Sequence, residues 1–171
     1  LNAVILAGFN DDEVIDLARF AVDNEIDISF IEEMPLGAIS SHTRSITQIS
    51  SERIREQLEQ EFSLVDSLES TGGPSRYVHV ANSSSKVGFI SPMSNNFCES
   101  CNRVRVTAEG RLLLCLGNEH SLDLRAILRG RPGDQALLKS KVIDALQEKP
   151  ERHHFDPDKI DIVRFMNTTG G

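Results

Sequence analysis

Residues 1–35 read LNAVILAGFNDDEVIDLARFAVDNEIDISFIEEMP, and three patterns follow one another in them. Residues 2–7 form a short apolar run with β-branched Val4 and Ile5, which predicts a strand buried on both faces. Gly8-Phe9-Asn10 turns the chain, and Asp11 or Asp12 is placed to cap a helix. Along that helix Val14, Leu17, Ala18, Ala21 and Val22 recur at helical spacing up to about Asn24. Residues 26–31 make a second apolar run, ending at Glu32-Glu33-Met34-Pro35. Strand, helix and strand in this order form a βαβ unit, hence two parallel strands and an α/β class.

Outward from this unit, residues 37–48 are a polar, Ser- and Thr-rich loop. Ser50 or Ser51 starts a helix through Phe62, with Ile54, Leu58 and Phe62 on one face. Thr71-Gly72-Gly73-Pro74 breaks the chain. Beyond it, residues 77–80 and 87–90 read as hairpin strands around a polar turn. A second hairpin pairs residues 103–107 with 111–115, where Gly110 supplies the positive φ. Helices near 121–130 and 133–148 precede a tail ending in Gly170-Gly171. No internal repeat is present. The composition divides the chain near residue 70, into an α/β part, 1–70, and a mixed α+β part, 71–171.

The 171 residues are 39% hydrophobic and 26% charged, ordinary values for a globular protein with a packed core. No apolar run approaches the roughly 20 residues that span a bilayer, and residues 1–8 lack the charged start of a signal peptide. A net charge of −8 argues against nucleic acid and acidic membranes as partners. Charge is unevenly spread, however. Between Asn96 and Arg131 six arginines stand against four acidic residues, while the rest of the chain carries 12 basic and 22 acidic ones. This positive segment suits a small anionic ligand. Three cysteines make no disulfide scaffold, so a reducing cytoplasm is the expected location.

All three cysteines lie in that segment, as Cys98-x2-Cys101-x13-Cys115. Thiolates are soft donors for zinc or iron–sulfur clusters. One reading is three structural thiols, although polar neighbours suit a core poorly. A second is zinc with His120 as the fourth ligand, a non-catalytic Cys3His binding module. A third is a [4Fe–4S] cluster held by three cysteines, with one iron open to a nitrogen- or oxygen-bearing substrate. Arg103 and Arg105, two apart on the expected strand, would share a face and grip phosphate oxygens; the plain alternative is a solvated strand face. His42, His79, His153 and His154 receive no role.

Phe97-Cys98-x-x-Cys101-Asn102-Arg103-x-Arg105-x-Thr107, followed by Gly110 and Cys115-Leu116, resembles the carboxy-terminal cluster motif of the GTP 3′,8-cyclase family. These are radical S-adenosylmethionine enzymes of molybdenum cofactor biosynthesis. Phe30-Ile31-Glu32-x-Met34-Pro35-Leu36-Gly37, Gly88-Phe89-Ile90-Ser91-Pro92, Asp123-Leu124-Arg125 and Gly170-Gly171 are similar to the family in the same order, so the likeness covers nearly the whole chain.

The resemblance implies a fold: the last strands and helices of a radical-SAM partial TIM barrel over 1–70, then a carboxy-terminal iron–sulfur and GTP-binding module over 71–171. It implies lyase chemistry in the parent protein, which closes the ribose 3′ carbon of GTP onto guanine C8. Cys98, Cys101 and Cys115 would hold a [4Fe–4S] cluster with an open iron, and Arg103, Val104 and Arg105 would bind GTP. Met34, at the carboxy end of a parallel strand, would lie beside S-adenosylmethionine. Gly170 and Gly171 would form a tail that supports activity. A second [4Fe–4S] cluster belongs to a C-x3-C-x2-C loop that these residues do not contain, so the expectation is a chain that starts in mid-barrel and is inactive alone. Its exposed barrel edges would favour a homodimer. Ser29 departs from the family, which often has arginine there.

Overall fold

The computed structural model describes residues 1–37, 43–156, 158, 159 and 162–164. Eight strands and five α-helices occur among them: β1 (Asn2–Ile5), α1 (Val14–Asp23), β2 (Ile28–Glu32), α2 (Arg44–Thr47), α3 (Ser51–Leu58), β3 (Leu64–Asp66), β4 (Arg76–Val80), β5 (Lys86–Ile90), β6 (Arg105–Val106), β7 (Arg111–Leu113), β8 (Ser121–Asp123), α4 (Leu124–Gly130) and α5 (Gln135–Gln147). The chain is mixed α/β and folds into two compact units. The first holds Leu1–Met34 and Ser41–Phe97; the second holds Cys98 onward with the short stretch beginning at Pro35.

The first unit is built on a five-stranded sheet in the order β1-β2-β5-β4-β3. β1 and β2 run parallel, with Ala3 opposite Phe30, as the βαβ reading requires. β2 also runs parallel to β5, with Phe30 opposite Phe89, while β5-β4-β3 are antiparallel. The hairpin expected beyond residue 70 therefore joins the first sheet, and the compact units part at Phe97/Cys98. Ile5, Ile28, Phe30 and Val87 from the strands meet Val14, Ala18 and Ala21 of α1 and Ile54 and Leu58 of α3 in one core. Those helix positions are the ones the apolar periodicity selects.

Several local expectations are corrected. β1 lies at the sheet edge, and Val4 is 46% exposed rather than buried on both faces, because alternate side chains leave it opposite to buried Ile5. Asp11 does not cap α1: its Oδ1 accepts the Gly8 N–H at 2.7 Å, and a 3-10 turn, Asp11–Glu13, leads into the helix. The polar loop contains the short α2, and β3 adds a strand that its three residues do not announce. Ser50 caps α3 as expected, accepting the Arg53 N–H at 3.3 Å. The helix expected from residue 121 starts later, because Ser121–Asp123 pairs as β8; Asp123 then caps α4 through the Ala126 N–H at 2.8 Å. Ser29, the departure from the family pattern, is buried against Ser75, Oγ to Oγ at 2.9 Å. These two hydroxyls occupy the space a side chain on Gly88 would need, its Cβ falling 2.0 Å from Ser75 Oγ.

Glu32 closes β2 and is almost wholly buried, at 1% exposure. Its Oε1 accepts the Ser51 N–H at 2.8 Å and the Ser94 hydroxyl. Its Oε2 accepts the N–H groups of Met93 and Ser94, each at 2.9 Å. One carboxylate thus holds the start of α3 and the turn that leaves β5, and it satisfies the buried Ser51 N–H, which would otherwise lack a partner.

Candidate metal centre

The second unit contains a three-stranded antiparallel sheet, β6-β7-β8. Gly110 turns β6 into β7 at φ +79°, the left-handed conformation anticipated for it. The Thr107 N–H donates to Arg111 O at 2.9 Å, and the Gly110 N–H to Thr107 O at 2.9 Å. Leu112, Leu113 and Leu114 are buried, and this anchored run leads directly to Cys115. Upstream, Cys98–Ser100 is a 3-10 turn in which the Cys101 N–H donates to Cys98 O at 3.0 Å. A two-residue spacing is what closes such a turn and puts both cysteines on it.

All three cysteines are half-buried and none forms a disulfide. Burial pushes the Cys115 thiol up, and the charges of Cys98 and Cys101 push it the same way. The Gly117 N–H, 3.3 Å from Cys115 Sγ, and the Lys149 ammonium act against this. Among the described residues no group of three His, Cys, Asp or Glu side chains is set to hold a metal ion. The donor chemistry suits a soft metal or an iron–sulfur cluster: three reduced thiols, partly shielded from water, beside a cation.

The segment after α5 wraps the chain around Cys115. Lys149 Nζ donates to Leu114 O at 2.6 Å and to Arg103 O at 2.9 Å, and lies 3.9 Å from Cys101 Sγ. Arg164 donates through Nη2 to Leu116 O at 2.9 Å, Asn118 O at 2.7 Å and Cys115 O at 3.3 Å, and pairs through Nη1 with Glu119. Gly117 lies under His153 and Phe155, whose rings are 4.3 Å apart between centroids. A Cβ at Gly117 would fall 2.8 Å from His153 Cβ and 3.0 Å from Phe155 Cζ. Lys149 and Arg164 were not legible as site residues, since each sits far along the chain from the cysteines and nothing in its local sequence ties it to them.

The strand expected to carry both arginines is shorter than its sequence pattern. β6 holds only Arg105 and Val106, with Arg105 opposite Leu113. Arg103 precedes the ladder and is exposed, its carbonyl fixed by Lys149, so the shared strand face is corrected. Val104 between them is 40% exposed. Cys115 likewise stands past the end of β7 rather than on it. His120 is exposed, with its N–H on Asn118 Oδ1 at 2.6 Å. His79 stands 3.4 Å from Glu69 in the first unit. Met34 follows the end of β2 in the first unit and is half-buried. His42, Gly170 and Gly171 lie outside the described residues. Among the described residues no helix is long and apolar enough to cross a membrane.

A turn carrying two thiols, a leucine-anchored third and a cationic clasp define a thiol-rich α/β module, and the family model named Molybdenum Cofactor Synthesis C matches residues 26–155. The chain belongs to that family. It is 60% identical over 173 residues to a Pseudomonas entomophila (strain L48) protein named GTP 3′,8-cyclase, covering 100% of this chain and 52% of that protein. A Pseudomonas aeruginosa PAO1 relative, GTP 3′,8-cyclase 2, is 54% identical over 172 residues with the same coverage of both chains. Ectopseudomonas mendocina (strain ymp) has a GTP 3′,8-cyclase 56% identical over 172 residues, again with that coverage. The chain spans about half the length of the curated relatives it matches.

Proposed function

We propose that these 171 residues are the carboxy-terminal part of a GTP 3′,8-cyclase and hold the substrate-side iron–sulfur cluster of that enzyme. The whole protein would convert GTP to (8S)-3′,8-cyclo-7,8-dihydroguanosine 5′-triphosphate, using S-adenosylmethionine and a second cluster bound elsewhere. The observation that carries the reading is 54–60% identity, over the whole of this chain and about half of each relative, to proteins of that name, with Cys98, Cys101 and Cys115 all on the second unit. The parallel strands β1, β2 and β5 would be the closing strands of a partial barrel, with Met34 at a strand end beside S-adenosylmethionine.

Cys98, Cys101 and Cys115 would hold the [4Fe–4S] group as thiolates. When bound, the group supplies one iron without a protein ligand, a position for a nitrogen or oxygen of the guanine base. Arg103 and Arg105 would receive the triphosphate through guanidinium hydrogen bonds, with Val104 against the nucleotide between them. The exposure of Arg103 and the place of Arg105 on β6, half-buried, leave both residues near Cys101 in the chain and open in part to a ligand. Holding both ends of GTP fixes a single orientation, which suppresses competing reactions of a radical process. Gly170 and Gly171 would supply the supporting tail.

Iron, acid-labile sulfide and zinc measured on anaerobically purified chain test this reading. About four irons and four sulfides per chain are expected of a cubane. One zinc without sulfide would replace the reading by the zinc-held binding module. In the full-length protein, Arg103→Ala or Arg105→Ala should weaken GTP binding while the iron content stays unchanged; unaltered nucleotide affinity in both would refute the substrate assignment.

A further inference from the structure

The ammonium of Lys149 has three donors and no acceptor capacity. Two of them go to main-chain carbonyls at 2.6 and 2.9 Å, and the third faces Cys101 Sγ at 3.9 Å. The two carbonyls are not arbitrary. Leu114 directly precedes Cys115, and Arg103 stands two residues after Cys101, so one side chain fixes both arms from which the thiols extend. It does so before β6 begins on one arm and after β7 ends on the other, outside the residues paired in the ladder. An exposed lysine at the end of a helix needs no such partners; this one is half-buried among them.

We propose that Lys149 is a positioning residue of the thiolate site, clasping the Cys101 and Cys115 arms and setting a fixed positive charge beside the anionic metal–thiolate group they carry. The inference rests on the cyclase reading for the identity of that group. Three thiolates around a cluster leave it net negative, and a nearby cation favours both its retention and the uptake of an electron. Lys149 acts through the cysteines and backbone and need not touch GTP.

Lys149→Gln keeps amide donors for the carbonyls and removes the charge; Lys149→Arg keeps the charge and alters the donor geometry. After anaerobic reconstitution of the full chain, circular dichroism establishes that each variant is folded. The Lys149→Gln cluster is expected to lose iron to a chelator about 10-fold faster or more, the scale of a lost outer-shell partner. Its reduction potential is expected to move to more negative values, and that of Lys149→Arg to stay near the unaltered chain. A purely structural lysine would change retention and leave the potential in place. Unchanged iron loss and unchanged potential in Lys149→Gln, with iron and sulfide present in the unaltered chain, would overturn the role of Lys149 alone. Zinc in place of iron and sulfide in the unaltered chain would overturn the reading beneath it.

Discussion

Replacing Glu32 by glutamine tests the central tie of the first unit. The carboxylate receives four hydrogen bonds, three of them from backbone N–H groups, at 1% exposure. A glutamine keeps one oxygen. If its amide nitrogen takes the Oε2 position, the Met93 and Ser94 N–H groups both face a donor. In the Oε1 position only the Ser51 N–H is orphaned, because the Ser94 hydroxyl turns to accept. The side chain therefore adopts the second arrangement. One buried unsatisfied donor costs about 1–3 kcal/mol, and the two bonds that remain lose their charge assistance. The expected loss is about 2–4 kcal/mol, a substantial part of the roughly 5–15 kcal/mol that holds a domain together. Urea unfolding followed by circular dichroism reads this directly, and Ser94→Ala, which removes only the hydroxyl, should cost about 0.5–1.5 kcal/mol. Hydrogen exchange should localise the damage, with the Ser51 amide losing protection and Met93 retaining most of its own. A change below about 0.5 kcal/mol, the scale of an ordinary surface substitution, would show that the network carries no such load.

Gly117→Ala forces a methyl against His153 and Phe155 at 2.8–3.1 Å and should cost roughly 1–3 kcal/mol by overpacking, read as a lower urea midpoint; an unchanged midpoint would mean that the segment swings away freely. Lys86, 3.0 Å from Glu69, holds that carboxyl below the ordinary glutamate range by hydrogen bond and charge. A lowered folded value means that the pairing is present above the ordinary glutamate pKa and lost as pH falls through the depressed one. Lys86→Met should therefore raise the Glu69 titration seen by NMR, and salt should shrink the difference because the pair is exposed.

Local patterns told most about elements that satisfy themselves locally. The helical spacing of Val14, Ala18 and Ala21 identified the buried face of α1, and Gly110 marked the β6–β7 turn because a positive φ leaves its signature in one residue. The C-x2-C pair likewise needs only its own turn. What sequence did not reveal depends on distant partners. β3 is three residues long with a single half-buried position, and it exists because β4 is there to pair with it. β8 has too few residues to compete with a helix signal until β7 lies alongside. Nothing local marked Lys149 and Arg164, since the carbonyls they hold lie 35 to 49 positions away. Glu32 sat in a motif whose chemistry drew attention to Met34 instead, and three of its four donors are backbone groups that no residue type advertises.

The boundary between the two units has a consequence for how the molecule can be cut. Leu36 bridges in parallel to Ile162, and the Gly37 N–H donates to Ile162 O at 2.9 Å, so the second unit borrows a short stretch from inside the first. The units are interleaved along the chain. A single scission after Phe97 leaves the cysteine unit without the Leu36 bridge, and a scission before Pro35 takes β3, β4 and β5 away from β1 and β2. On the ribosome the same weave sets an order: the first sheet is complete once Ile90 has emerged, whereas Leu36 must wait for Ile162, made 126 residues later. Separating the two units therefore calls for three cuts, at 34/35, 40/41 and 97/98, and for a rejoined end in each.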